Sequence, residues 1–379
     1  MRKLATIQKI KSLEPIDGKD RIVVASFESV GWHVIVAKND FEIGDYCVYI
    51  EPDSILPVHR EYEFLRKKCY SEKLNGFHIK TMKMSGIISQ GIAFPLSVID
   101  WKNRCSLSPS QNQEGTDVTR ILKIRKYDPA EITEKTYSKK HHRIKNPILR
   151  FILRHLPFAS NQFREKSNLK GFPQFLHKTD EVRVQNVPYI FDKYNGKIEC
   201  YITEKLDGTS ITYAIYNEKF YVCQRNFQRL KDNSIYWQIA EKYDIEKKLH
   251  AIGENCAIQG EGIGPGIQGN RYGLKELDFF VYNLFDIDRQ RYLPFAILDR
   301  LYTLETFKKV PLLGTGQLYG NVDQWVSESI GKSKLADIPR EGIVVRSIDG
   351  EPKYQKDMGE MFSFKVINPE YLLKYESEE

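Results

Sequence analysis

Tyr201-Ile-Thr-Glu204-Lys205-Leu-Asp207-Gly208-Thr-Ser210 is the stretch on which the reading of this chain turns. The β-branched and aromatic residues of Glu199 to Glu204 predict a strand, and Ser210 to Ile215 predict another, with Lys-x-Asp-Gly between them. A lysine held at a strand end, with a carboxylate two residues on and a glycine that permits a tight turn, is placed for use as a nucleophile. Taken alone, the four residues read better as a β-hairpin, because Asp-Gly is a favoured turn pair.

Downstream the same texture continues. Strands are predicted over Phe220 to Gln224, Phe279 to Asp286, Gly342 to Arg346 and Ser363 to Ile367, with helices over Ser234 to His250 and Pro294 to Lys309. The second helix opens on a proline, which suits a first helical position. Residues 172 to 379 therefore read as one α+β domain of ordinary size.

Upstream the pattern is all-β. Leu4, Thr6, Gln8 and Ile10 alternate with their neighbours, and Arg21 to Phe27, Trp32 to Ala37 and Tyr46 to Ile50 are strand-like, separated by turn signals such as Asp17-Gly18 and Gly44-Asp45. Short strands at close spacing predict a small barrel of OB type over residues 1 to 125. His33, on one of these strands, reads as structural.

Between the two, residues 126 to 171 carry a concentrated positive charge. The chain of 379 residues has a net charge of +7, but Lys135 to Lys170 contains ten basic residues and one acid, a local +9 that leaves −2 for the rest. A phosphate-seeking segment on a near-neutral body predicts a nucleic-acid partner, with affinity that does not depend on base sequence. The alternatives are a solvated linker or a docking site for a partner protein. Ile148, Leu149, Phe151, Ile152 and Leu156 predict one short basic amphipathic helix there. Mean hydropathy is −0.47, no run approaches eighteen apolar residues, and the opening lacks an apolar signal core, so neither a membrane span nor secretion is expected. Six scattered cysteines without a C-x-x-C pair argue against a zinc module or disulfide framework and for a reducing, intracellular compartment, and a soluble monomer is expected.

The companions of Lys205 decide against the hairpin. In order come Arg225, Gly260-Glu261-Gly262, Phe279-Phe-Val-Tyr282-Asn-Leu-Phe-Asp286, Glu341-Gly-Ile-Val-Val-Arg346 and Phe362-Ser-Phe-Lys365-Val. In these motifs the chain resembles the covalent nucleotidyltransferase superfamily of ATP-dependent ligases and RNA capping enzymes. Phe172-Pro-Gln-Phe-Leu-His-Lys178-Thr-Asp-Glu181-Val-Arg183-Val-Gln-Asn186 narrows the resemblance to nick-sealing ATP-dependent RNA ligases with an N-terminal OB-like module.

The resemblance implies that Lys205 attacks the ATP α-phosphorus to form a lysyl-adenylate. AMP then passes to an RNA 5′-phosphate and a 3′-hydroxyl displaces it across a nick in duplex RNA. It also implies that Asp207, Glu261 and Glu341 hold Mg2+ or Mn2+, largely through its waters. Arg225 and Lys365 are expected at the nucleotide phosphate or sugar, Gly208 beside the nucleotide, and Arg183 at the leaving pyrophosphate. Tyr282 is expected to stack on adenine, with Phe280 as the alternate, and Glu204 to read the adenine amino group. One departure stands out: relatives often carry Lys-x-Lys where this chain has Ser363 before Lys365, and Lys353 or Lys356 are the candidate substitutes. The rival readings are a DNA ligase or capping guanylyltransferase, disfavoured by the barrel coming first, and a catalytically silent RNA-binding scaffold, disfavoured by the intact lysine and carboxylates.

Overall fold

A computed structural model of the chain describes residues 3–100, 113–127, 168–303, 307–350, 354–359 and 361–375. Most of the basic stretch, with its expected helix around Phe151, lies outside these residues, as does Lys353. The backbone clusters into two compact units. One holds the N-terminal residues together with Val184–Asp192 and the last residues from Leu372, and the other holds the remainder.

The first unit is the OB-type barrel. Strand β1 (Ala5–Ile16) is long enough to serve two neighbours: its first half pairs with β4 (Tyr46–Ile50) and its second half with β2 (Lys19–Phe27). A register shift between Ile10 and Ser12 marks the changeover, the kind of irregularity that lets one strand bend around a small barrel. With β3 (His33–Ala37) and β10 (Ile92–Pro95) the order is β10-β4-β1-β2-β3. Alternation sends Val23, Ala25 and Phe27, and Val34 and Val36, into a core shared with Trp32 and Tyr49. β5 (Ser54–Pro57) and β7 (Gly76–Ile79) build a second sheet over another core centred on Ile7, Tyr62 and Phe77.

A segment far along the chain is tied into this unit. Trp32 Nε1 donates to Asn186 Oδ1 at 2.6 Å, Asn186 Nδ2 donates to Glu51 Oε1 at 2.8 Å, and Gly31 N donates to the Gln185 carbonyl at 2.7 Å. Sequence alone places 186 in the second domain; two hydrogen bonds of its own and one of its neighbour Gln185 place it on the first unit.

The second unit contains two sheets. The five-stranded sheet runs β13 (Val182–Arg183), β23 (Ser363–Ile367), β22 (Gly342–Ser347), β14 (Glu199–Lys205), β21 (Leu312–Gln317). The seven-stranded sheet has β15 (Thr209–Tyr216), β18 (Cys256–Ile263) and β19 (Asp278–Asp286) at its centre. One of its faces, with Ile211, Tyr213, Ile258 and Val281, packs on the helices Ile235–Lys242 and Ile245–Ile252. The expected single helix from Ser234 to His250 is thus two, because Asp244 adopts a left-handed φ of 49° between them. The helix expected from Pro294 to Lys309 is also shorter. It spans Phe295–Thr303, and Lys308 and Val310 instead exchange backbone hydrogen bonds with Val281 of β19.

All five described cysteines are buried free thiols. Among the described residues, no helix is long and apolar enough to cross a membrane.

Candidate active site

Lys205 is the last residue of β14 and Thr209 the first of β15, yet the two strands do not pair. β14 belongs to the five-stranded sheet and β15 to the seven-stranded one, so Leu206-Asp207-Gly208 is a crossing between sheets and not a hairpin. Gly208 is required here by close approach, not by left-handed backbone. A Cβ on it would stand 2.3 Å from the Gly262 carbonyl oxygen and 2.9 Å from Glu261 Cγ. The turn is therefore pressed against β18, next to Glu261.

Strand alternation and register sort the remaining residues. On the five-stranded sheet, Lys205, Thr203 and Tyr201 lie opposite Gly342, Val344 and Arg346, and Val344 lies opposite Lys365, which is in turn level with Arg183 on β13. Arg183 is buried on a strand. On the seven-stranded sheet, Ser210, Glu261 and Phe280 form one row, and Arg225 follows β16 (Lys219–Gln224) next to that row. The register slips between Gln259 and Gly260, leaving Tyr282 as the extra residue of a β-bulge. Phe280 and Tyr282, two residues apart, pack in one apolar cluster on the same face. The Tyr282 ring is buried and its hydroxyl sits with Thr179 Oγ1 at 3.0 Å and Ser210 Oγ at 3.2 Å. Phe280 is half-buried, with Lys308 Nζ 5.8 Å above its ring.

Lys205 Nζ donates to Glu341 Oε1 at 2.6 Å, with both side chains mostly buried. Burial works to lower the lysine pKa, but the charges of Glu341, Glu261 and Asp207 outweigh it and hold the ammonium above its ordinary range. The carboxylates register the opposite strain. Burial, then the like charges of Glu341, Asp207 and Glu181, push Glu261 up to about 8 despite Lys205, and Glu341 is raised by burial and by Asp207. Three carboxylates against Lys205 and, at Asp207, Arg271 leave one negative charge in excess.

That excess sets the sign of a pH effect. The Glu261 carboxyl titrates at 4.5 in the unfolded chain and at about 8 when folded. Across that window the folded protein holds a proton that the unfolded chain has released, so stability falls as pH rises from 4.5 to about 8. Glu261→Gln is expected to flatten this slope. Thermal midpoints of both proteins across the window measure it, and parallel curves would refute it.

Asp207 is held by other groups. Its Oδ2 accepts from Arg271 Nη1 at 2.7 Å and from the Tyr371 hydroxyl at 2.5 Å, and its backbone N–H donates to the Tyr272 hydroxyl at 2.8 Å. Arg225 Nη2 and Lys365 Nζ both donate to Asp180, at 3.1 and 3.0 Å, so one carboxylate joins a cation from each sheet. Glu204 lies on the far face of β14 from Lys205. It is buried, with Oε2 accepting from Lys334 N at 2.8 Å and Oε1 without a hydrogen-bond partner.

Ser363, at the departure from Lys-x-Lys, is the ladder partner of Arg346. A lysine at that position would face a guanidinium that is 2% exposed, so the fold offers a physical reason for the serine. Lys356 is exposed on a neighbouring helix, Gln355–Met358.

Sequence reading missed four participants. Asp180 and Arg346 stood inside the quoted motifs without a role, their signal being charge within a motif. Arg271 and Tyr371 carried no signal beyond the run of glycines around the former.

A barrel of OB type followed by an α+β domain that presents a lysine between two sheets, ringed by carboxylates, defines a nucleotidyltransferase of the polynucleotide-ligase class. The sequence matches an OB-fold domain model over residues 4–96 and an RNA ligase model over residues 198–367. Among solved structures, the RNA ligase of Naegleria gruberi with PPi is 29% identical over 100% of both chains, with a TM-score of 0.79. A mutant of that enzyme with AMP and Mn is 30% identical over 99% of both chains, TM-score 0.78, and another with ATP and Mn is 29% identical over 99% of both, TM-score 0.79. No curated protein matches the sequence. The chain belongs to the RNA ligase family: it is an enzyme that forms phosphodiester bonds in RNA.

Proposed function

We propose that this ligase uses ATP and seals 3′-hydroxyl/5′-phosphate nicks in duplex RNA through a lysyl-adenylate on Lys205. The observation that carries this reading is the Lys205–Glu341 pair at 2.6 Å beside Glu261 and Asp207, on a turn that both sheets hold in place.

An unperturbed lysine, with a pKa of about 10.4, is almost wholly the non-nucleophilic ammonium at neutral pH, and the surrounding carboxylates favour that form further. Glu341 Oε1 is the hydrogen-bonded acceptor for the proton that must leave. The freed Nζ lone pair then forms the bond to the α-phosphorus as the bond to pyrophosphate breaks. Arg183, Lys365 and Arg225 supply positive charge along the two sheets for the phosphates. Tyr282 stacks on the adenine, with Phe280 as the alternate. Glu204 would meet the base only from the far side of β14, through its unpartnered Oε1.

The donor set suits a divalent cation of the Mg2+ or Mn2+ type, since the residues offer only hard carboxylate oxygens, and one buried oxygen, Glu341 Oε2, lacks any partner. Among the described residues, no three His, Cys, Asp or Glu side chains are gathered closely enough to ligate an ion directly. Asp207, Glu261 and Glu341 would hold it through its waters, where it would neutralise charge on the transferring phosphate.

Incubation with labelled ATP or GTP, followed by denaturing electrophoresis, tests the reading. Covalent AMP is the expected outcome; covalent GMP would mean a capping-type enzyme, and no label a silent scaffold. A fragment of residues 172–379 should still label with AMP but seal a nicked duplex poorly, since OB-type barrels supply nucleic-acid surface. Sealing as fast as the full chain would remove the barrel from the reaction.

A further inference from the structure

Arg346 is the most deeply buried cation near the site, its side chain 2% exposed. Burying a guanidinium is costly unless it is paired and hydrogen-bonded. Three groups meet it. Nη2 donates to Glu181 Oε1 at 2.6 Å, Nη1 donates to Thr203 Oγ1 at 3.3 Å, and its Cζ lies 5.2 Å from the centroid of the Tyr282 ring. The Tyr282 hydroxyl is fixed at its other end by Thr179 and Ser210.

The surroundings give this pair a mechanical role. Tyr282 is the extra residue of a β-bulge and has no partner across the ladder on β18. Glu181 sits between Asp180, which joins Arg225 to Lys365, and β13, which carries Arg183. The guanidinium therefore connects the aromatic ring of the seven-stranded sheet to the charged segment lying along the five-stranded sheet.

We propose that Arg346 is a positioning residue for nucleotide binding: held by Glu181 and Thr203, its planar guanidinium supports the Tyr282 ring and sets the plane on which the base stacks. The inference rests on the proposed stacking of adenine on Tyr282 and extends it. A guanidinium stacks on an aromatic face in a way that the point charge of an ammonium does not. Arg346 itself touches no reacting atom.

The test uses the full-length chain and the rate of covalent AMP formation as a function of ATP concentration. Arg346→Met is expected to raise the KM for ATP about tenfold with little change in the maximal rate, the size of effect a desolvated cation–π contact supports. Arg346→Lys should recover only part of it. In a Tyr282→Ala background, Arg346→Met should add almost nothing, because the ring it supports is gone.

Because Arg346→Met strands the Glu181 carboxylate, Glu181→Leu/Arg346→Met serves as the second variant, removing both charges together. Its thermal midpoint should recover while the raised KM persists. A double variant with wild-type KM, or effects of Arg346→Met and Tyr282→Ala that multiply, would overturn the proposal. If Tyr282→Ala raises KM but Arg346→Met does not, the support role falls and stacking on Tyr282 stands. If Tyr282→Ala leaves KM unchanged, both fall together.

Discussion

Lys205→Ala is expected to yield a folded protein that takes no label from ATP above background. The residue ends β14 with its side chain about a quarter exposed and contributes an amine, not packing. Removing it leaves Glu341 and Glu261 without their cation while Asp207 keeps Arg271, but Glu261 already titrates at about 8, so the site can take up a proton rather than unfold. Arginine is not expected to rescue the activity, since its guanidinium remains protonated and cannot present a lone pair. Intact-protein mass spectrometry after incubation with ATP makes the measurement. An AMP adduct on the Ala variant would displace Lys205 as nucleophile.

Glu341→Ala is expected to slow adenylation by about 10²-fold, the usual loss when one preorganised electrostatic partner is taken from an active site. Glu341 stands immediately before β22, where Gly342 pairs with Lys205, so it is the carboxylate in direct contact with the amine. Its loss should also ease the crowding of like charge on Glu261, bringing that carboxyl down from about 8. Adenylation rates over a range of Mn2+ or Mg2+ concentrations would show both a lower maximum and a weaker metal dependence. A wild-type chain that adenylates at full rate in EDTA would end the case for these carboxylates as metal-holding groups.

The two effects differ in kind. One would remove the proposed nucleophile; the other would remove part of the field around it. Kinetics separate them, because the Ala variant at 205 has no residual rate for metal to modulate.

The nucleotidyltransferase character was legible in the chain because covalent chemistry needs particular residue types in a particular order. Lys-x-Asp-Gly, Gly-Glu-Gly, the aromatic strand, Glu-Gly-Ile-Val-Val-Arg and Phe-Ser-Phe-Lys are local patterns, each read within a few residues. The strands were legible too, since alternation is a local property. What the pattern could not convey is that Lys205 and Thr209 go to different sheets. Pairing partners are chosen by contacts between residues far apart in sequence, and a favoured turn pair says nothing about them.

The same reason hid the rest of the site. Asp180 joins Arg225 to Lys365 across 45 and 185 residues of chain, Arg346 reaches Glu181 across 165, and Arg271 reaches Asp207 across 64. Tyr282 was chosen from its position in the motif, but the bulge that leaves it unpaired depends on the register of β18 against β19, which no periodicity within either strand reveals. Asn186 likewise read as part of the second domain until its hydrogen bonds to Trp32 and Glu51 placed it on the first unit. By itself the sequence determined which chemistry the chain carries, because reactive groups are residue types in order along the chain. Tertiary structure alone decided which charges meet and which face each side chain takes, because those follow from long-range pairing and burial.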